Sequence, residues 1–137
     1  MLPEPVRALV LAEQTREANR FVEGIEIHAY LDKLAEKAEI LADSAAGRCR
    51  GVVAYYCNDL ASMQAYITLV LVDPRDRGAG IGRALVRRVL DIAKGRGYAT
   101  CRLEVARRNE AAYAMYESLG FRRVESRPDK DLLEIDL

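Results

Sequence analysis

Val72-Asp73-Pro74-Arg75-Asp76-Arg77-Gly78-Ala79-Gly80-Ile81-Gly82-Arg83 is the stretch whose reading decides the fold of this chain. On its N-terminal side, Ala65 to Val72 is apolar on both faces, the mark of a central strand. Asp73-Pro74 ends that strand, because proline lacks the donor that a sheet ladder needs. On its C-terminal side a helix runs to about Lys94. Ile81, Leu85, Val89 and Ile92 form its apolar stripe, widened by Val86, Leu90 and Ala93, before Gly95 and Gly97 stop it. A strand, a loop with three glycines in five residues, and a helix start together bind a polyanion. Glycine lets the backbone turn its N–H groups inward, and the helix start adds the positive end of a dipole.

Further out, Gly51 to Cys57 predicts a strand, and Asn58 and Asp59 are turn formers after it. Ile27, Tyr30, Leu31, Leu34 and Ala38 recur at helical spacing, and Glu39 to Asp43 predicts a short strand before a turn at Ser44–Gly47. Val6 to Gly24 is helix-permissive, with Leu9, Ala12 and Phe21 as expected buried positions. Beyond the glycine loop, Thr100 to Val105 alternates as a strand does, and Asn109 caps a helix that Gly120 closes. Phe121–Arg127, a turn at Pro128-Asp129-Lys130, and Leu132–Leu137 predict a terminal hairpin. The expected fold class is α/β, one domain over residues 1–137 around an open sheet.

Composition narrows the function classes. The 137 residues carry 21 basic and 21 acidic side chains, which argues against a general nucleic-acid binder, although Arg87-Arg88, Arg107-Arg108 and Arg122-Arg123 could form a local basic patch. Cys49, Cys57 and Cys101 have no CxxC spacing, and His28 is the only histidine, so no metal is expected. The cysteines read as packing residues in a reducing compartment. With no signal sequence and no apolar run near the roughly 20 residues of a membrane span, the expected location is cytoplasmic.

The loop does not fit a P-loop, which needs lysine followed by Ser or Thr, nor a dinucleotide fingerprint, whose third glycine is replaced by Arg83 or Leu85. It resembles the RxxGxG pattern of the GNAT N-acetyltransferases, matched by Arg77, Gly80 and Gly82. A second stretch, Asn109, Ala112, Tyr116, Gly120 and Phe121, is similar to that family's N-x-x-A-x-x-x-Y-x-x-x-G-F motif. The two motifs span about residues 65–121. The resemblance implies a mixed, mostly antiparallel sheet flanked by helices, with a central strand pair splayed around a bulge. It implies acetyl-CoA as co-substrate: the amides of Gly78, Ala79, Gly80, Ile81, Gly82 and Arg83 holding its pyrophosphate, Val70, Leu71 and Val72 lending backbone groups to the pantetheine arm, and Asn109 hydrogen-bonding that arm. Tyr116 would protonate the departing thiolate, as a phenol with reference pKa near 10 can.

The amine's proton needs a destination as well. Some relatives carry a glutamate in the central strand, but Tyr66-Ile67-Thr68 has none. The expectation is a water relay ending at Glu104 or Asp59. The acceptor is expected against Tyr30, Tyr56, Asn58 and Tyr66. Tyr56-Cys57-Asn58-Asp59 resembles a segment of bacterial members linked to surface-polysaccharide synthesis, which implies a small amine or amino-sugar acceptor. The family often pairs as homodimers. Two other functions fit the residues: a non-catalytic acyl-CoA sensor, suggested by the missing strand carboxylate, and a toxin-type acetyltransferase on aminoacyl-tRNA, suggested by the arginine pairs.

Overall fold

The computed structural model describes residues 2–137. Two N-terminal helices, α1 (Glu4–Arg16) and α2 (Ile27–Lys37), precede the strands β1 (Glu39–Ala45), β2 (Arg48–Tyr56) and β3 (Gln64–Val72). A single 3₁₀ turn (Pro74–Asp76) leads to α3 (Ile81–Gly95), then β4 (Thr100–Ala106), α4 (Glu110–Leu119) and the hairpin β5 (Arg122–Ser126) and β6 (Lys130–Asp136). The six strands form one sheet in the order β1-β2-β3-β4-β6-β5. Only β3 and β4 are parallel neighbours; every other pair is antiparallel. The mixed, mostly antiparallel sheet is as expected, and β3 is indeed central.

Helices cover both faces. Alternation along β2 sends Val52 and Ala54 toward α1 and α2, where Leu9, Val10, Leu31 and Leu34 are buried. Val53 and Tyr55 point the other way, toward Ile81, Leu85, Val86 and Val89 of α3. Burial of each such aliphatic side chain stabilises the fold by roughly 1.5–3 kcal/mol. Gly51 lets β2 and α3 close on each other, since a Cβ there would stand 2.7 Å from Cγ2 of Ile81.

Several boundaries differ from the sequence expectation. α1 stops at Arg16, and Ala18 and Asn19 follow with positive φ. Ala12 is exposed, whereas Glu13 and Gln14 are buried. Their polarity is satisfied locally: Glu13 pairs with Arg16 and Arg77, and Gln14 binds both the N–H and the C=O of Val22. β1 runs on to Ala45, so the turn shrinks to Ala46-Gly47, both with positive φ as a type I′ hairpin turn requires.

The terminal hairpin is clamped by a buried carboxylate. Asp131 accepts hydrogen bonds from Tyr113 Oη (2.6 Å), Ser126 Oγ (2.8 Å) and Arg107 Nη1 (2.7 Å). The Tyr113 bond, against the opposing effect of burial and with help from Ser126 and Arg107, lowers its pKa from 3.8 to about 2. A folded pKa below the unfolded one adds stability above about pH 4 that is lost as pH falls toward 2. Urea midpoints of the wild type should therefore drop over that window. Asp131→Asn should start lower at neutral pH and show a shallower acid drop.

Candidate active site

β3 pairs with β4 only from Gln64↔Thr100 to Ile67↔Leu103. Beyond that point the strands part, leaving the β4-facing edge of Thr68–Val72 without ladder partners. The cause lies on the other side of β3. Its register against β2 slips between Ala54↔Leu69 and Tyr55↔Ile67, so Thr68 is an extra, bulged residue. The bulge also reverses the alternation. Ala65 and Ile67 pack toward α3 and α4, whereas Leu69 and Leu71 pack toward α1 and α2. Val70 and Val72 consequently lie on the α3 side, with their Cγ atoms 3.9 and 3.4 Å from where a Gly82 Cβ would stand.

The glycine loop sits at the open end of this gap. Arg48 bonds Asp76 (2.6 Å) and Asp73 (3.3 Å), and Asp73 also accepts from the Arg75 backbone and side chain, so the strand exit is held firmly. Gly78 and Gly80 have φ of +86° and +80°, and Gly80 is the N-cap of α3. The first helical bond is Ala84 N to Gly80 O (3.0 Å), and the amides of Ala79, Gly80, Ile81, Gly82 and Arg83 have no acceptor among the described residues. Five such donors at the positive end of a 15-residue helix form an anion cradle. The side chains nearby are already engaged. Arg77 reaches Glu13 (3.4 Å) and the Val72 carbonyl (3.3 Å), and Arg83 contacts Ser118. The Val72 carbonyl is thus in use, while Val70, two residues back along the same edge, turns its backbone toward the gap; Leu71 turns its own toward Val52 of β2.

α4 brings the second motif to the same region. Asn109 Oδ1 caps the helix through Ala112 N (3.3 Å), and Gly120 ends it at φ +109°. Tyr116 is buried, with its ring edge-on to Phe121 at a centroid distance of 5.8 Å. Burial raises its pKa to about 12. Among the described residues its hydroxyl has no hydrogen-bond partner, and the buried polar side-chain atom left unpaired is that of Tyr98 instead. The Tyr116 proton is therefore uncommitted and in reach of solvent. Tyr113 differs, since its proton is given to Asp131.

On the α2 side of the bulge, three of the four expected acceptor residues come together. Tyr56 and Tyr66 are direct cross-strand partners, and Tyr30 reaches over from α2 toward Thr68 and Tyr56. Burial raises all three phenols, most strongly Tyr66, whose hydroxyl donates to Glu104 Oε1 at 3.0 Å. Glu104 is the first β4 residue past the last β3 pair. Burial pushes its carboxyl upward, but the bonds from Arg127 and Tyr66 and the charge of Lys130 outweigh that and hold it below 4.5. Asn58 does not join the cluster: it is exposed beyond the Tyr56↔Tyr66 pair, at the end of β3 away from the gap. Asp59 is occupied with the amides of Ala61 and Ser62 and the Ser62 hydroxyl, as a turn residue. The connection from α1 to α2 forms a separate recess of about 590 Å³ lined by Gln14, Asn19, Arg20, Val22 and Glu26, and none of the four expected acceptor residues lines it.

Sequence reading missed Thr68, Arg127 and Lys130. Thr68 carried no signal, because a bulge depends on pairing. Arg127 precedes the expected Pro128-Asp129-Lys130 turn and Lys130 is its last residue, so both were read only as parts of a hairpin tip. Of the arginine pairs, Arg107 staples that tip through Ser126, Asp131 and the carbonyls of Lys130 and Pro128, and Arg122 pairs with Glu134 and Asp136. The three cysteines are buried and free, and His28 is exposed against Arg7.

The Acetyltransferase (GNAT) family model matches residues 9–121. The [ribosomal protein bS18]-alanine N-acetyltransferase of Escherichia coli (strain K12) is 47% identical over 58 residues, 42% of this chain and 39% of that protein. N-alpha-acetyltransferase RimI of Mycobacterium tuberculosis is 51% identical over 53 residues, 39% of this chain and 32% of its own length. The match therefore spans about two fifths or less of these curated relatives. In fold, the chain resembles the PaiA N-acetyltransferase from Thermoplasma acidophilum in complex with coenzyme A. The TM-score is 0.75 at 17% identity, over 98% of this chain and 92% of that one.

Proposed function

Because the chain belongs to the GNAT acetyltransferase family, we propose that it transfers an acetyl group from acetyl-CoA to a primary amine by direct attack. The observation that carries this reading is the gap between β3 and β4, opening onto the unpartnered amides of Ala79–Arg83. The pyrophosphate lies on those amides, with Gly78 completing the turn, and the pantetheine arm adds to the free edge at Val70 as an extra strand would. Asn109, at the start of α4, flanks the arm.

The reaction forms a C–N bond and breaks the acetyl C–S bond. The neutral amine attacks the carbonyl, its surplus proton passes through water to Glu104, and the sulfur departs toward the Tyr116 hydroxyl. Solvent then takes the proton from Glu104 and supplies one to the departed CoA thiolate, while Tyr116 keeps its own proton and donates a hydrogen bond to the sulfur. Tyr30, Tyr56 and Tyr66 line the acceptor approach. The acceptor is the α-amine of a protein or peptide rather than an amino sugar, by similarity to the ribosomal-protein alanine N-acetyltransferase and the N-alpha-acetyltransferase.

The titration directions make a specific forecast. Glu104 is ionised above its lowered pKa, and Tyr116 keeps its proton up to about 12. Neither group limits the rate near neutrality. The rising limb of kcat/KM against pH should therefore follow the acceptor, near 8 for an α-amine and near 10 for a lysine-type amine. Release of free thiol from acetyl-CoA with each acceptor measures this. A common limb near pH 6 for both amines would point to a different base, and no thiol release with any amine would sink the reading.

A further inference from the structure

We propose that the recess between α1 and α2 receives the side chain next after the reacting residue of a peptide acceptor, and that it selects an apolar one. The inference rests on the transferase reading above and specifies its substrate class. The connection over residues 17–26 is pinned at both ends to the stretch of β3 that has no β4 partners. At its start, Glu13 of α1 pairs with Arg77 (3.4 Å), which also holds the Val72 carbonyl (3.3 Å). At its end, Tyr30 of α2 meets the Thr68 hydroxyl. Thr68 and Val72 are the two limits of the open stretch, so the connection passes over it on the α1 and α2 face. Ile27 lines the recess and shares a face of α2 with Tyr30, about 4.5 Å along the axis. A peptide advances about 3.3–3.6 Å per residue. An acceptor with its amine beside Tyr30 therefore has its next residue at the recess.

The walls decide the class of side chain. Val22, Ile25 and Ile27 line the recess, and nothing stands within 4 Å of where a Gly24 Cβ would be. Ile25 is 40% exposed. The other large apolar side chains exposed among the described residues, Leu60 and Val124, lie outside the recess. Covering such a wall with an apolar side chain removes both surfaces from water. Charge at the rim selects neither sign. Glu26 is committed to capping α2 through His28 N (2.6 Å), which leaves Arg20 and Glu23, one of each. The shape is set before anything binds. Buried Gln14 donates to the carbonyls of Asn19 (3.3 Å) and Val22 (3.0 Å) and accepts from Val22 N (2.8 Å), which keeps Ala18 and Asn19 at positive φ. A recess held open in this way needs little further ordering on binding.

The test uses two amidated peptides with a free N-terminal alanine, one with Leu and one with the similarly sized Asn as the second residue. Binding is measured by calorimetry on the CoA complex, and transfer by thiol release from acetyl-CoA. The Leu peptide should bind about tenfold tighter, as burial of one aliphatic side chain allows. In I25S that preference should fall to within about threefold; Ile25 is half-exposed, so the fold does not depend on it, and the unfolding midpoint checks this. Equal affinities in the wild type, a preference for Asn, no binding of either peptide, or an undiminished preference in I25S would each overturn the proposal. Thiol release with both peptides and no preference would leave the transferase reading standing without the recess. Leu-selective binding without thiol release would support the recess while removing the transferase reading, so the two failures are separable.

Discussion

Tyr116→Phe is expected to lower kcat by about tenfold to a hundredfold while leaving the CoA dissociation constant within about twofold. The size follows from the chemistry of the phenol. A thiol has a reference pKa near 8.5, whereas burial holds Tyr116 at about 12. Full transfer of its proton to a free thiolate is therefore uphill. In the proposed mechanism the hydroxyl supplies a hydrogen bond to charge growing on sulfur, in a site where burial strengthens it. Charge-assisted bonds of this kind contribute roughly 1.5–3 kcal/mol, and each 1.36 kcal/mol is tenfold in rate. A loss of 10⁴ would indicate complete proton transfer instead, and an unchanged kcat would remove Tyr116 from the mechanism. The ring should stay in place, because its edge-on contact with Phe121 does not involve the hydroxyl. Tyr113→Phe serves as the contrast, since it loses a bond to Asp131 and should lower stability with little effect on turnover.

Gly80→Val should have the second large effect, on binding. Gly80 holds φ at +80° as the N-cap of α3, a conformation that costs a β-branched residue more than the roughly 1–2 kcal/mol of an ordinary one. Relief of that strain would rotate the neighbouring amides out of the cradle. Misalignment of one or two charge-assisted donors is worth about tenfold to a hundredfold or more in affinity. Calorimetric titration with CoA measures the loss, and the unfolding midpoint of the free protein shows whether the fold survived. Native CoA affinity in a folded Gly80→Val protein would contradict the assignment of the loop.

The parts of the molecule legible in the sequence are those built from local chemistry. Gly80 and Gly120 sit in the left-handed conformation that only glycine adopts readily, and Asn109 caps α4 through its own side chain. The apolar stripe of α3 and the alternation of β4 read directly as helix and strand. What could not be read depends on partners distant in the chain. Ala12 looked like a core residue, yet Glu13 and Gln14 took the buried positions because Arg16, Arg77 and Val22 satisfy them. The β3 bulge arises from its register against β2, and no composition signal marks Thr68. Glu104 was legible as a candidate acceptor of protons, but not its pairing with Arg127, 23 residues on. The expected acceptor residues suffer most from this, since Tyr30, Tyr56 and Tyr66 come from a helix and two strands.

Incubation of the purified protein with acetyl-CoA and a peptide bearing a free N-terminal alanine, read by mass spectrometry and thiol release together, tests the central claim most directly. The expected result is an acetyl group on the α-amine and one free thiol for each peptide modified. CoA bound by the protein, with no acetylated amine and no thiol released across α-amines, lysine-type amines and amino sugars, would contradict it.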